Sequence, residues 1–280
     1  MIYFTESEID QLIEDDVPLG DMTTGMMNLS GKKAKITLLA RNPMVACCTE
    51  EAVRLYRKVD LKVHHAVASG TELNPGDPLI SAEGDAAAVH LVWRTGSALV
   101  EFASGVAGRT RQLVQNARAE NAATTVAGTR KHPPYMKKVA LKALMAGGGV
   151  PHRTGLSDTI LIFKEHLLFT GGYDNLAETV MKMKAIQKER KIVVEGHTEA
   201  QAMAIVRSGA DAVQVDKMTP EEFSACASVC RQANPGICMI AAGGINGTNA
   251  AAYAKAGADV LVSSWIYFAP PADVKAQIAP

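Results

Sequence analysis

The apolar residues in the second half of the chain recur in short runs, and amphipathic stretches lie between most of them. The apolar runs cover residues 123–128, 159–163, 191–195, 212–216, 238–243 and 259–264. The helix-like stretches cover Asp174–Arg190, Thr198–Ser208, Pro220–Gln232 and Gly247–Ala256. Continuously apolar strands that alternate with helices are typical of a parallel sheet covered by helices. About six such units favour a closed or nearly closed barrel over an open sheet.

The first half has a different pattern. Thr5 and Glu8 form a capping-box pattern at the start of a helix. Strand-like, helical and turn-rich segments follow it, at residues 34–40, 44–48, 50–59 and 62–85, and a long apolar helix is predicted from about Ala87 to Ala117. The stretch 62–85 resembles a biotin or lipoate carrier, but no lysine lies between Lys62 and Lys131 to carry the group. We therefore predict a β-layer packed on helices.

Composition restricts the function further. The chain has 280 residues, of which 48% are apolar and 21% are charged, and its formal net charge is zero. Proteins that grip nucleic acid by its phosphates usually carry a basic excess, so a nucleic-acid partner is not expected. The N-terminus is acidic, no apolar run approaches the length of a membrane span, and the five cysteines show no metal-type pairing. We expect a cytoplasmic protein with no membrane partner.

Polar side chains follow the predicted strands in turn. In an α/β barrel the reactive groups lie at the carboxyl ends of the strands, so these side chains are expected to converge on one mouth. Each of them alone could equally be a surface charge, but their joint placement is harder to obtain by chance. The set is Arg130, Lys131, His152, Arg153, Lys164, Glu195, Asp216, Gly243, Gly244, Ser263 and Ser264.

The set divides by charge. Arginine forks suit carboxylates and phosphates, so the cations of this set can bind a polyanion. Glu195 and Asp216 are single carboxylates on different strands, an arrangement that suits Mg²⁺ when phosphate oxygens complete the shell. The Gly-Gly and Ser-Ser pairs follow the last two strands, where barrels commonly hold a phosphate. These features together indicate transfer of a phosphorylated sugar to a carboxylated partner.

At this point a resemblance becomes specific. The runs TRK, GGGVPHRTGLSD, VVEG, VDK and GGI, in that order, are similar to those of the quinolinate phosphoribosyltransferases, or nicotinate-nucleotide pyrophosphorylases. The early EDDVPLGDMTT and the helix WRTGSALVEFASGVAGRT also resemble segments of that family. The resemblance covers nearly the whole chain. It implies an N-terminal α/β sandwich, then an incomplete parallel α/β barrel, in a homodimer or a higher oligomer.

The resemblance also implies roles for individual residues. Arg94 from the partner subunit, with Arg130, His152 and Arg153, would hold a pyridine dicarboxylate, and Lys131 would contact both substrates. The remaining predicted positions are Glu195 and Asp216 for the ribose and Mg²⁺, Gly243 and Gly244 for the 5′-phosphate, and Lys164, Ser263 and Ser264 as candidate replacements for lost family contacts. The predicted domains are 1–106 for the sandwich, 107–265 for the barrel, and a tail, 266–280, that packs back on the sandwich.

Several positions depart from the family pattern. The active-site lysine of the family falls on Phe163, and Lys164 lies one place later, where a strand reverses the side-chain direction. Ile240-Ala241-Ala242 replaces Glu-Ser-Ser, Gly128 replaces an aspartate, and His132 replaces a threonine. These changes resemble the ModD-like pyrophosphorylases, the branch of the family associated with molybdenum-transport operons.

The predicted activity is that of a pentosyltransferase. It transfers the phosphoribosyl group of phosphoribosyl pyrophosphate to an aromatic carboxylate and releases pyrophosphate. In the family the acceptor is quinolinate, and the products are nicotinate mononucleotide and carbon dioxide. Two alternatives stay open: a lyase or decarboxylase that uses Asp216 and Lys217, and a non-catalytic anion-binding protein, which Phe163 and Ala242 motivate.

Overall fold

The computed structural model describes residues 2–280. Its helices are α1 Glu6–Asp16, α2 Met22–Met26, α3 Thr49–Lys58, α4 Ala86–Glu120, α5 Lys137–Ala146, α6 Lys164–Leu167, α7 Leu176–Ile186, α8 Glu199–Arg207, α9 Pro220–Ala233 and α10 Ala250–Lys255. Its strands are β1 Lys33–Ala40, β2 Met44–Val45, β3 Lys62–Ala66, β4 Glu72–Leu73, β5 Pro78–Asp85, β6 Thr125–Gly128, β7 Val150–Pro151, β8 Ile160–Ile162, β9 Ile192–Gly196, β10 Ala212–Asp216, β11 Cys238–Ala242, β12 Val260–Ser263 and β13 Val274–Ala279. Among residues 2–280, no helix combines the length and the apolar character that crossing a bilayer demands.

The chain divides into two compact units. The first takes the chain as far as Arg111, with His132–Gly148 and Tyr267–Pro280, and the second takes Gln112–Lys131 and Gly149–Ile266. The predicted boundary after residue 106 falls within helix α4. The domain limits 1–106, 107–265 and 266–280 stay a prediction.

The first unit is built on an antiparallel sheet in the order β13-β1-β5-β3. Alternate side chains of β1 are buried, so Ile36 and Leu38 pack on the helical side of the sheet while their neighbours are more exposed. Helix α1 begins at the predicted capping box, in which Thr5 and Glu8 each accept a hydrogen bond from the other's backbone N–H. Strand β13, from the C-terminal end of the chain, pairs with β1 along six residues.

The second unit is built on a parallel sheet in the order β7-β6-β12-β11-β10-β9-β8. Its inward side chains form an apolar cluster of Ala127, Leu161, Val193, Ala212, Ile240, Ala242 and Val262. In the described chain β7 and β8 are the two edges, so the barrel is incomplete, and the predicted α/β fold class is confirmed. The prediction of about six strands missed β7, because Val150–Pro151 is too short to form an apolar run.

The register of this sheet brings the strand ends to one edge. Asp216 lies opposite Ala242, and Ser263 lies opposite Gly128. Because all seven strands are parallel, the loops that follow them share one face of the second unit. This face is the one on which the predicted site residues were expected to meet.

Candidate active site

A cavity of about 710 Å³ opens at the carboxyl ends of the parallel strands. Most of the residues predicted from strand ends line it: Arg130, Lys131, His152, Arg153, Glu195, Asp216, Gly243, Gly244, Ser263 and Ser264. The structure therefore brings ten of the predicted positions into one cavity of the second unit. The roles assigned to them stay predictions.

Two carboxylates, Glu195 and Asp216, stand on neighbouring strands at one side of the cavity. His197 lies between them, with Nε2 3.6 Å from Glu195 Oε1 and Nδ1 3.7 Å from Asp216 Oδ2. Gln214 Nε2 donates a hydrogen bond of 2.8 Å to Glu195 Oε2. Burial raises the pKa of Glu195, and the charge of Asp216 raises it further, while the hydrogen bond from Gln214 lowers it. The pair is thus a partly desolvated anionic site.

The cationic side of the cavity comes from the loops after β6 and β7. The backbone N–H of His152 donates to the carbonyl of Gly128, which fixes the start of the second loop. Burial, followed by the charge of Arg153, lowers the pKa of His152, so its imidazole is neutral near pH 7. Burial and the neighbouring Arg130 also lower the pKa of Arg153. A guanidinium that is already desolvated and repelled by a like charge favours an anionic ligand.

Phe163 lines the cavity, whereas Lys164 does not. Lys164 is exposed and begins helix α6. The guanidinium carbon of Arg153 lies 5.7 Å from the centroid of the Phe163 ring, a distance typical of a cation–π contact. The ring of His166 is stacked on that of Phe163 at a centroid distance of 5.8 Å, and Phe163 also packs against the apolar cluster of the sheet. The structure therefore does not bring Lys164 into the group of residues that line the cavity.

The loop after β11 carries two successive residues with left-handed backbone, Gly243 at φ +82° and Gly244 at φ +78°. A Cβ on Gly243 would lie 2.5 Å from Asp216 Oδ1 and 2.6 Å from Lys217 Cγ, whereas a Cβ on Gly244 would meet open space. Lys217 itself holds a left-handed backbone at φ +63° and lines the cavity. Glycine at 243 thus permits the close approach of Lys217 to the turn.

The two serines after β12 differ in their availability. The Ser263 hydroxyl is buried, donates to the carbonyl of Ile245 at 2.6 Å and accepts from the backbone N–H of Trp265. A hydroxyl has one proton to donate, so Ser263 stiffens the glycine loop and has no proton left for a phosphate. Ser264 is half-buried at the cavity wall. The loop is fixed further by Asn246 and Asn249, whose side-chain amides both donate to the carbonyl of Gly244 at 3.0 Å.

Arg94 lies elsewhere, on helix α4 in the first unit. Its side chain is 62% exposed, and its guanidinium is 3.8 Å from Glu101. Around it are Leu12, Leu99 and Phe102, which line a second, smaller cavity of about 400 Å³. The cavity is also lined by the acidic Asp15 and Asp16, so Arg94 is an accessible cation among both apolar and acidic side chains in the first unit.

Among the residues of the cavity region that were not predicted from the sequence, three carry polar side chains that bear on its chemistry. Gln214 and Asn246 line the cavity, and His197 bridges the carboxylates from the loop after β9. A signal for Gln214 was present, since it is a polar residue in the middle of an apolar strand, two places before Asp216 and on the same face. No comparable signal marks His197, which lies in a loop.

Comparison with known proteins defines the class. The sequence family model of the quinolinate phosphoribosyl transferase C-terminal domain matches residues 106–277, and the family model of the N-terminal domain matches residues 21–104. The two models together span most of the chain. The chain belongs to the quinolinate phosphoribosyl transferase family.

Individual relatives place it more narrowly. A protein of Rhodobacter capsulatus named "Putative pyrophosphorylase ModD" is 38% identical over 257 residues, which is 92% of this chain and 98% of that protein. A Pasteurella multocida protein of the same name is 34% identical and covers 99% of both chains. The solved nicotinate-nucleotide pyrophosphorylase of Ehrlichia chaffeensis superposes with a TM-score of 0.89 over 100% of both chains at 22% identity, a likeness of fold.

Proposed function

We propose that this chain transfers the phosphoribosyl group of phosphoribosyl pyrophosphate to the ring nitrogen of an aromatic carboxylate and releases pyrophosphate. The observation that carries the proposal is a single cavity with a cationic side, a carboxylate pair and a glycine turn. These three features match the three parts of the reaction: a carboxylated acceptor, a ribose that develops positive charge, and a 5′-phosphate. The names of the relatives, pyrophosphorylases, support the same reaction class.

The acceptor would bind on the cationic side. Arg130 and Arg153 supply fixed positive charge, and their forked donors fit a carboxylate. The neutral imidazole of His152 can donate one hydrogen bond without adding to the repulsion between the two arginines. Lys131, which also lines the cavity, would contact both substrates. Holding the ring nitrogen against C1 of the ribose would contribute much of the acceleration.

The carboxylates would stabilise the transition state. The ribose ring gains positive charge as the bond from C1 to the pyrophosphate oxygen lengthens. Glu195 and Asp216 are only partly exposed, at 14% and 19% of their side chains, so their field is weakly screened by water. Electrostatic stabilisation of this kind acts without reorganisation because the sheet already holds both groups in place.

The same carboxylates fit Mg²⁺, which the proposal includes as the counter-ion of pyrophosphate. Within residues 2–280 no group of three or more His, Cys, Asp or Glu side chains is arranged to hold a metal by itself. Two oxygen donors suit an ion that keeps several waters and takes its other ligands from substrate phosphates. Mg²⁺ would neutralise charge on the leaving pyrophosphate, and Glu195 and Asp216 would hold it.

The phosphate end would be the glycine turn. Gly243 and Gly244 present the backbone without side chains, and Lys217 adds a cation beside them. This cation compensates in part for Ala241 and Ala242, which carry no hydroxyl donors. Ser264 could donate a further hydrogen bond to the phosphate, whereas Ser263 holds the loop after β11 in place through its hydrogen bond to Ile245.

The proposal extends to a homodimer in which Arg94 enters the partner's active site. Its support is the accessibility of Arg94, whose side chain is 62% exposed beside a small surface cavity and so can be reached by a second subunit. In such a dimer each complete site would take Arg94 from one subunit and Arg153 from the other.

The direct test is release of pyrophosphate from phosphoribosyl pyrophosphate in the presence of quinolinate and other aromatic acids. The double variant Glu195→Ala/Asp216→Ala should lose Mg²⁺-dependent binding of phosphoribosyl pyrophosphate in calorimetry. Asp174→Ala, which removes an exposed acidic side chain away from the cavity, serves as the control. Pyrophosphate release separates the proposal from a lyase and from a non-catalytic binding protein. Unchanged Mg²⁺-dependent binding in the double variant would refute the roles of the two carboxylates.

A further inference from the structure

Gln214 has an unsatisfied acceptor inside the candidate active site. Its side chain is 4% exposed, and its Oε1 is buried without a hydrogen-bond partner, while the residue lines the cavity. A buried acceptor left unpaired is costly, and most such groups in folded proteins have a partner. A donor that enters the cavity would supply the partner that Gln214 Oε1 lacks.

The carboxylate of Glu195 determines which atom of the Gln214 side-chain amide remains without a hydrogen bond. Gln214 Nε2 lies 2.8 Å from Glu195 Oε2. An ionised carboxylate only accepts hydrogen bonds, so the nitrogen of the amide must face it. The oxygen is then the free end, and it can be satisfied only by an N–H or O–H group.

The position of Gln214 on its strand selects the ligand group. Gln214 precedes Asp216 by two residues, so both side chains face inward, with Gln214 one layer deeper. Its register partners are Glu195 on one side and Ile240 on the other. Gln214 thus lies level with Glu195 and one layer below Asp216, on β10, whereas the cations for the acceptor come from the loops after β6 and β7.

We infer that Gln214 is a specificity-determining residue whose Oε1 accepts a hydrogen bond from a ribose hydroxyl of the sugar-phosphate substrate. The inference rests on the proposed function, because it assigns the carboxylate side of the cavity to the sugar. A hydroxyl can donate to Gln214 and accept from another group, which suits a deep position with a single acceptor. Gln214 would therefore select ribose over a deoxy-sugar.

The test compares the binding of ribose 5-phosphate with that of its 2-deoxy and 3-deoxy analogues by calorimetry. The wild-type protein should bind ribose 5-phosphate about tenfold more tightly than at least one analogue, the value of one hydrogen bond to a buried acceptor. Gln214→Met should reduce this ratio to near one. Ile240→Met, a change at the same depth on the paired strand, should keep the ratio.

Three results would overturn the role inferred for Gln214. If Gln214→Met weakens all three ligands equally and keeps the ratio, the residue only positions Glu195, and the inference is wrong. If the wild-type protein shows no preference for ribose 5-phosphate, the inference fails whether or not any variant folds. If Gln214→Met changes only the Michaelis constant of the aromatic acid, the hydrogen-bond donor belongs to that acid and not to the sugar, and the inference is wrong. The proposed function fails separately, through the absence of pyrophosphate release, a result that leaves the sugar comparison readable.

Discussion

Alanine at the glycine turn separates a structural effect from a ligand effect. Gly243 and Gly244 both have left-handed backbone, so either alanine carries a backbone cost of about 1–2 kcal/mol. The surroundings differ: the new Cβ at 243 would lie 2.8 Å from the backbone nitrogen of Lys217 and 2.5 Å from Asp216 Oδ1, and the new Cβ at 244 would lie in open space. The two variants should therefore differ in stability.

The magnitudes follow from these contacts. Gly244→Ala should lose only the backbone term of roughly 1–2 kcal/mol. Gly243→Ala adds an overpacking term of about 1–3 kcal/mol, because a backbone atom cannot move aside as the end of a flexible side chain can. With roughly 3 °C per kcal/mol for a chain of this size, the melting temperature should fall by about 4 °C and 10 °C respectively.

Gly244→Ala should weaken ligand binding, although it costs less stability than Gly243→Ala. Its Cβ would occupy space that the proposed function assigns to the 5′-phosphate, so Gly244→Ala should bind ribose 5-phosphate at least about tenfold more weakly, the equivalent of one lost hydrogen bond. Gly209→Ala is the matched control, since its φ is +79°, a Cβ there meets nothing within 4 Å, and Gly209 does not line the cavity. It should share the loss of melting temperature and bind normally.

The assay is differential scanning fluorimetry for stability and calorimetry with ribose 5-phosphate for binding. Equal melting temperatures for Gly243→Ala and Gly244→Ala would show that the close contact with Asp216 and Lys217 carries no energy. Binding by Gly244→Ala as tight as that by Gly209→Ala would place the phosphate elsewhere in the cavity.

Three further predictions concern the acceptor, the pH dependence of stability and the assembly. Phe163→Lys should raise the kcat/KM for quinolinate by about tenfold or more, through a new charge-assisted hydrogen bond, while Phe163→Leu should not. An unchanged kcat/KM in Phe163→Lys would show that Phe163 does not limit the turnover of quinolinate. The depressed pKa of His152 means that the unfolded chain binds more protons between that pKa and about 6.5, so the free energy of unfolding should decrease as pH falls through this window. His152→Asn should remove this component in pH-dependent melting, and an unchanged slope would contradict it. Mixing Arg94→Ala and Arg153→Ala subunits should restore part of the activity that each lacks, and a mixture as inactive as its parents would exclude a shared site.

The fold could be predicted from the sequence because its strands are buried on both faces. The strands from β8 to β12 are mostly apolar, and Glu195, Asp216 and Ser263, near the ends of β9, β10 and β12, mark the edge where the site forms. Strand β7 escaped because two residues cannot show a pattern. The order of strands in the sheet, with β12 between β6 and β11, could not be predicted from local patterns.

The candidate site could be predicted in part for the same reason. Glu195 is the last residue but one of β9 and Asp216 is the last residue of β10, so the strand pattern alone assigns their side chains to the mouth of the barrel. His197 lies near the carboxylates because of the conformation of the loop after β9. A loop has no hydrophobic periodicity from which this position could be predicted. Ser263 shows the converse limit, because its position at a strand end was predicted but its hydrogen bond to Ile245, which removes its proton from any ligand, depends on the fold of another loop.

The departures from the family pattern act on different parts of the same cavity. Phe163 stands beside Arg153, on the side that the proposed function assigns to the acceptor, where an aromatic ring takes the place of the family's lysine. Ala242 lines the end that the proposal assigns to the phosphate, where Lys217 and the glycine turn would offer a cation and free backbone. Under the proposed function, the phosphate end would keep its means of binding an anion, whereas the acceptor side would differ from the family pattern in both charge and shape. Because the carboxylate pair on β9 and β10 is present, we expect the chemistry at the ribose to be retained and the preferred acceptor to be a less charged, more apolar aromatic acid.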